Sequence, residues 1–137
     1  MIPKFRAWDK DNNQMCDVAS IWFDRNDDQY KLGHITIPSQ ESVDVIFDNY
    51  ELMQSTGLKD KNGVEIFEGD VVSVRNHPFQ KTELSGAGIE IDGDYLIGWS
   101  DHNLTWLAGD LLLYQLKPYI EVISNIYENP ELLEVEG

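Results

Sequence analysis

Cysteine is nearly absent from this chain. Cys16 is the only one, so no internal disulfide can form and no C-x-x-C or zinc-type pair exists. A cytosolic location is the expectation. No run reaches the roughly 18 apolar residues that a membrane helix needs, and the opening MIPKFRAWDKDN has no apolar core of a secretory signal. Basic side chains are also scarce: 10 Lys and Arg stand against 25 Asp and Glu, a formal net charge of -15. The imbalance is uneven, with a net of -4 in residues 1–50 and -11 in residues 51–137, and past residue 82 the one basic side chain is Lys117. Binding to phosphates draws most of its affinity from a basic face that releases counterions. A large face of that kind is excluded here.

Catalytic and cofactor signatures are missing as well. The histidines His34, His77 and His102 show no i, i+4 spacing or other arrangement that presets a metal site. No serine sits in a G-x-S-x-G elbow, and Cys16 has no nucleophile signature around it. GAGIEIDG offers Gly86 and Gly88 but lacks the third glycine and the helix of a dinucleotide fingerprint. The expectation is no catalytic residue, no cofactor-binding residue, no metal ligand, no cofactor and no enzyme activity. A metal site assembled in three dimensions from Asp94, Asp101 and His102 stays open.

What remains is 137 residues, 42% of them hydrophobic and 11% aromatic, too apolar for a disordered chain and long enough for one domain with an appended subdomain. The acidity has two readings: solubility through self-repulsion, or an electrostatic match to a basic protein partner.

Short apolar segments alternate with polar turns along the chain. Phe5, Ala7 and Trp8 precede DKDNNQ and then MCDVASIWF, the pattern of a hairpin. After the turn DRNDDQ, Leu32, Ile35, Thr36 and Ile37 read as a strand stopped by Pro38. Residues 41–51 fit a strand through Val43, Val45 and Phe47 or a helical face through Val43, Ile46, Phe47 and Tyr50, with a lean to strand. The clearest hairpin segment runs from Glu51 to Arg75. There Gly57 and KDKNG bracket Leu58, Asn62-Gly63 suits positive φ in a tight turn, and Glu68-Gly69-Asp70 turns between two adjacent strands. A polar stretch from Arg75 to Gly88 reads as a long loop. A further hairpin is expected around Asp92-Gly93, with Tyr95, Ile97 and Trp99 on one face, then a turn at SDHN and a strand in YIEVISNIY. ENPELLEVEG closes as a short helical turn, with Asn129 as cap and Pro130 at its first position.

Two stretches copy the start of a calcium loop. Asp9, Asp11 and Asn13 match its first, third and fifth ligands, but Gln14 stands where glycine must bend the loop and Ser20 where a bidentate Glu is required. Asp24, Asn26 and Asp28 fail in the same way, at Gln29 and Ile35. Both are expected to be solvated turns. Trp8, Trp22, Trp99 and Trp106 lack flanking basic residues and are assigned mostly to the core, any exposed subset being a candidate anchor for a protein partner.

PKFRAWDK, TGLKDKNGVEIFEGDVV and EVISNIYENPELL, in that order and spread over nearly the whole chain, resemble the YopX family of small phage and prophage proteins. Ser124 stands where the family often has Gly, and the stretch from about Arg75 to Trp106 has no counterpart to carry over. The resemblance implies a mainly β fold. Its C-terminal part, residues 51–137, would be a small SH3-type barrel or roll, with a smaller β-containing N-terminal part in residues 1–50 and a short C-terminal helical turn. It implies a gene carried by phages of Gram-positive hosts and no transferable activity. The shared residues Gly57, Asp60, Asn62, Gly63, Gly69, Asp70, Asn129 and Pro130 serve turns.

The functional expectation is a noncatalytic phage accessory protein binding a host or phage protein through an acidic β surface, with DNA mimicry as a variant. The alternative is single-stranded nucleic-acid binding by barrel aromatics and a local basic patch of Lys4, Arg6, Lys59, Lys61, Arg75 and Lys81. Self-association through exposed strand edges is compatible with either.

Overall fold

Alternating apolar residues and closely spaced turns produce strands almost throughout, in a computed structural model that describes residues 4–26, 29–38, 43–44, 50–78 and 90–133. The chain divides into two units, Met1–Gln54 and Ser55–Gly137.

In the first unit β1 (Phe5–Asp9) and β2 (Gln14–Asp17) form the expected hairpin, pairing Ala7 with Cys16 and Asp9 with Gln14. The apolar stretch after the turn is not one strand, since β3 (Ser20–Asn26) starts afresh and pairs with β4 (Gln29–Thr36). Val43–Asp44 forms β5 against His34 and Ile35, which answers the strand-or-helix question for those two residues. Residues 45–49 lie outside the described ones. Ala7, Cys16, Ile35 and Ile37 pack as a small core. β6 (Tyr50–Lys59) then carries the chain across the division, its first half paired with β1.

The second unit opens with the rest of β6 against β7 (Glu65–Phe67). Next comes a meander of β8 (Asp70–Val74), β9 (Gly93–Ser100), β10 (Thr105–Ala108) and β11 (Leu111–Leu112). A four-residue helix, α1 (Leu113–Leu116), and a 3-10 turn lead to β12 (Ile120–Asn125), which returns beside β8. The resulting antiparallel sheet has the order β11-β10-β9-β8-β12. Its outer strands β11 and β12 are not paired with each other among the described residues, so the sheet is open where a small SH3-type barrel or roll was expected. A one-turn helix and a 3-10 turn connect them along the chain. Leu113 and Leu116, three apart on α1, are buried with Val72, Ile97 and Ile120. Each of these side chains contributes about 1.5–3 kcal/mol by leaving water. A helix of one turn is too short to show a period, so LLLYQL gave no helical signal.

Three details depart from the sequence-based expectation. Glu68-Gly69-Asp70 does not join adjacent strands: β7 pairs with β6, whereas β8 lies between β9 and β12. The turn is a corner between sheets, made by the Phe67 N–H donating to Asp70 Oδ2 at 2.8 Å and the Gly69 N–H donating to Ile97 O at 3.0 Å. Gly57 lies in an irregularity of β6 rather than in a turn, where Ser55 Oγ accepts from its N–H at 3.1 Å. Asp92-Gly93 does not head a hairpin either, for Gly93 begins β9 and Ile91 is buried in the core. No described helix is long and apolar enough to cross a membrane.

Candidate interaction surface

The residues singled out in the sequence separate into those that hold the backbone and those that face solvent. Asp9 is 1% exposed, and its Oδ1 accepts from the N–H groups of Asp11 and Asn12 at 3.0 and 3.3 Å while Oδ2 accepts from Asn12 Nδ2 at 2.8 Å. The calcium-like spacing is therefore a turn whose leading carboxylate points inward. Asp60, also buried, accepts from Asn62 N–H and Val64 N–H through Oδ1, and from Val122 N–H on β12 through Oδ2, all within 2.8–2.9 Å. Burial pushes its carboxyl pKa up, but the three N–H donors and nearby Lys61 outweigh that and hold it below the usual Asp value.

Around Asp60 the chain makes a three-residue loop. Asp60 and Val64 pair through the backbone, Gly63 N–H donates to Asp60 O, and Gly63 takes φ +82°. Asn62 does not adopt positive φ, so this is a type I turn with a glycine bulge instead of a two-residue Asn-Gly turn. Gly57 and Gly69 take positive φ as well, and Asp70 is buried on its corner. Asn129, expected as a helix cap, accepts instead from the Ser124 hydroxyl and donates to Glu131 Oε1 at 3.0 Å, with Pro130 opening the 3-10 turn Pro130–Leu133.

The suggested metal ligands do not converge. Asp94 faces Arg75 at 3.4 Å, and seven residues on, just past the end of β9, Asp101 accepts from Trp99 Nε1 at 2.9 Å. At the rise of a strand that separation is on the order of 20 Å. Among the described residues no three His, Cys, Asp or Glu could hold a metal ion together. Basic groups are matched locally too, Lys10 to Glu51 at 2.7 Å and Lys61 to Glu121 at 3.9 Å. Lys81 lies outside the described residues.

Two shallow clefts open on the first unit. One of about 220 Å³ is lined by Lys4, Phe5, Val18, Ala19, Ser20 and Ile21. The other, of about 270 Å³, is lined by Gln14, Met15, Cys16, Asp17, Ile37 and Pro38. Burial, with Asp9 and Asp17 nearby, pushes the Cys16 thiol pKa up and keeps it protonated. Neither cleft brings an acid and a base together.

The feature that the sequence showed least clearly is the end of the β9–β10 hairpin. Ser100 pairs with Thr105, so Asp101, His102, Asn103 and Leu104 form a four-residue loop, with Ser100 Oγ accepting from Asn103 N–H at 3.1 Å. Leu104 takes φ +51°, the left-handed region that costs a residue with a side chain about 1–2 kcal/mol. It is also 74% exposed, so packing does not repay that strain. Beside the loop, Trp99 is 47% exposed and meets Trp106, its direct cross-strand partner, edge-on at 5.2 Å. Trp106 packs on the core. The four tryptophans thus divide: Trp8 is buried, Trp106 half-buried, Trp22 and Trp99 exposed. A Leu closing a polar turn was the one available signal, and SDHN alone reads as an ordinary turn.

These features define a mainly β protein of two open antiparallel units with one short helix near its C-terminal end. The chain belongs to the YopX family, whose model, described as YopX protein, matches residues 4–134. The crystal structure of protein EF1440 from Enterococcus faecalis is similar over 97% of this chain and 99% of that one, at 31% identity and a TM-score of 0.58. Comparison with curated proteins gives no match.

Proposed function

We propose that this YopX-family chain is a noncatalytic phage or prophage accessory protein that works by binding a host or phage protein on its acidic second unit. The observation that carries the reading is the set of large apolar side chains exposed there, Val64, Leu96, Trp99, Leu104, Tyr114 and Ile123, on a strongly acidic background. Exposed aromatic and aliphatic anchors ringed by polar groups are what protein interfaces use.

Protein is favoured over nucleic acid because Lys61 and Arg75 of the suggested basic patch already face carboxylates. DNA mimicry is the weaker variant, since Asp9, Asp60 and Asp70 turn inward to backbone N–H groups and leave fewer carboxylates to imitate phosphates. The finer fold reading, an SH3-type roll in the second unit, is supported by β12 returning beside β8, the first strand of the meander.

Affinity capture from infected or lysogenic cells at low and moderate salt, followed by titration of each purified candidate, tests the reading. A partner whose affinity falls with added salt is the expected result. Failure to recover any partner, together with turnover in an activity screen, would overturn it.

A further inference from the structure

We infer that the end of the β9–β10 hairpin is a receptor for an arginine side chain on a basic segment of the partner protein, with Trp99 and Asp101 as the receiving pair and Leu104 as the adjoining apolar contact. The inference rests on the protein-binding reading above and names the site and chemistry of that binding.

The geometry comes first. Trp99 is half exposed at the end of β9 and braced edge-on by Trp106, so its ring is held rather than free to fold away. Its indole N–H donates to Asp101 Oδ1 at 2.9 Å, which fixes an exposed carboxylate at the edge of an exposed ring. That bond engages Oδ1 and leaves Oδ2 available as an acceptor. A planar guanidinium can stack on an indole face while donating to a neighbouring carboxylate, and tryptophan is the best aromatic partner for a cation. An ammonium group, compact and strongly hydrated, satisfies only the charge part of that requirement.

Leu104 supplies an independent observation. Glycine or asparagine would fill its left-handed position without strain, yet the chain places there an apolar side chain that is 74% exposed. Strain without a packing return inside the chain fits a contact made outside it.

Charge selects among occupants. A second copy of this chain would bring another net charge of -15 to the surface, and nucleic acid or an anionic membrane would bring phosphates to a region whose one basic residue past position 82 is Lys117. A cationic protein segment is attracted to it.

The test is amide and indole nitrogen–proton NMR of the full chain at low salt, titrated with a short capped peptide of alternating arginine and leucine and with its lysine counterpart. The expected result is saturable shifts of the Trp99 indole N–H and the amides of Ser100–Thr105, with the arginine peptide binding more tightly than the lysine peptide. Asp101→Asn and Trp99→Phe should each weaken the arginine peptide about 2- to 5-fold and narrow its advantage over lysine. Both side chains are exposed, and an otherwise unchanged spectrum verifies that each variant is folded. If shifts spread over other acidic surfaces and the variants bind normally, the inference is wrong while the protein-binding reading stands. If neither peptide binds at low salt, the inference is wrong as well, and the protein-binding reading is decided separately by the affinity capture.

Discussion

Two loops of the second unit have similar length and opposite construction. At the tip of the β6–β7 hairpin, the loop from Asp60 to Val64 meets each local demand with a suitable residue. A buried carboxylate accepts three backbone N–H groups, and a glycine occupies the left-handed position. At the tip of the β9–β10 hairpin, the loop from Asp101 to Leu104 puts leucine in the left-handed position and turns it to solvent. One loop is explained by stability alone. The other gives up stability with no return inside the chain, which is the pattern expected of a contact surface.

The largest effect should follow from breaking the first loop. Asp60→Ala leaves three N–H groups without their acceptor and should destabilise the protein by about 3 kcal/mol in urea unfolding. Asp60→Asn keeps one oxygen acceptor and should cost less. The same carboxylate gives a pH dependence of known sign. Its folded pKa lies below the unfolded one, because its N–H donors and Lys61 outweigh the upward push of burial. Its contribution is therefore complete above the ordinary Asp value of about 3.9 and is lost as pH falls through the lower folded value. Unfolding midpoints measured from neutral pH into that acid range should fall more steeply for the wild type than for Asp60→Asn. Equal slopes would show that Asp60 is not the coupled group.

The contrast between the loops also explains what was legible in the sequence. Most strands and the position of the hairpin tip at KDKNG were readable because local chemistry and tertiary structure agree there. The hairpin at Asp9, the strand stopped near Pro38 and the return strand from Ile120 are further examples. Pairing between distant strands was not readable. The corner at Gly69 looks locally like a hairpin turn, and only the carbonyl of Ile97 and the N–H of Ile126, both remote in sequence, make it a change of sheet. Openness was hidden for a related reason, since whether the outer strands β11 and β12 meet is also a matter of pairing between distant segments. At the candidate surface the residues were visible and their arrangement was not. Trp99 and Trp106 could be placed in a core or on a face, and the backbone at Leu104 contradicts its residue type.

Exchanging the left-handed residues sharpens the comparison. Gly63→Leu, with nothing within 4 Å of an added Cβ but φ +82°, should cost about 1–2 kcal/mol, chiefly from backbone strain. Leu104→Asn should act in the other direction, raising stability by about 0.5–1 kcal/mol, because it relieves φ +51° and removes a side chain that is 74% exposed. Paired unfolding curves give both numbers. A Leu104→Asn protein that is less stable than wild type would mean that Leu104 packs favourably, and the argument that it serves an outside contact would lose its basis.

The smallest effect is expected where the first loop meets solvent. Glu121 faces Lys61 at 3.9 Å and accepts from Asn62 Nδ2 at 3.3 Å, both on the exposed side of the turn that Asp60 holds from within. Long exposed side chains lose entropy on pairing, and salt screens what remains, so Glu121→Ala should change stability by no more than about 0.5 kcal/mol. The difference should shrink further as ionic strength rises. Comparing Glu121→Ala with Asp60→Ala separates two carboxylates bound to the same loop, one buried on backbone N–H groups and one exposed on side chains. If Glu121→Ala costs as much as Asp60→Ala, the loop is held from its surface, and the contrast with the β9–β10 tip must be drawn from charge rather than from buried backbone bonds.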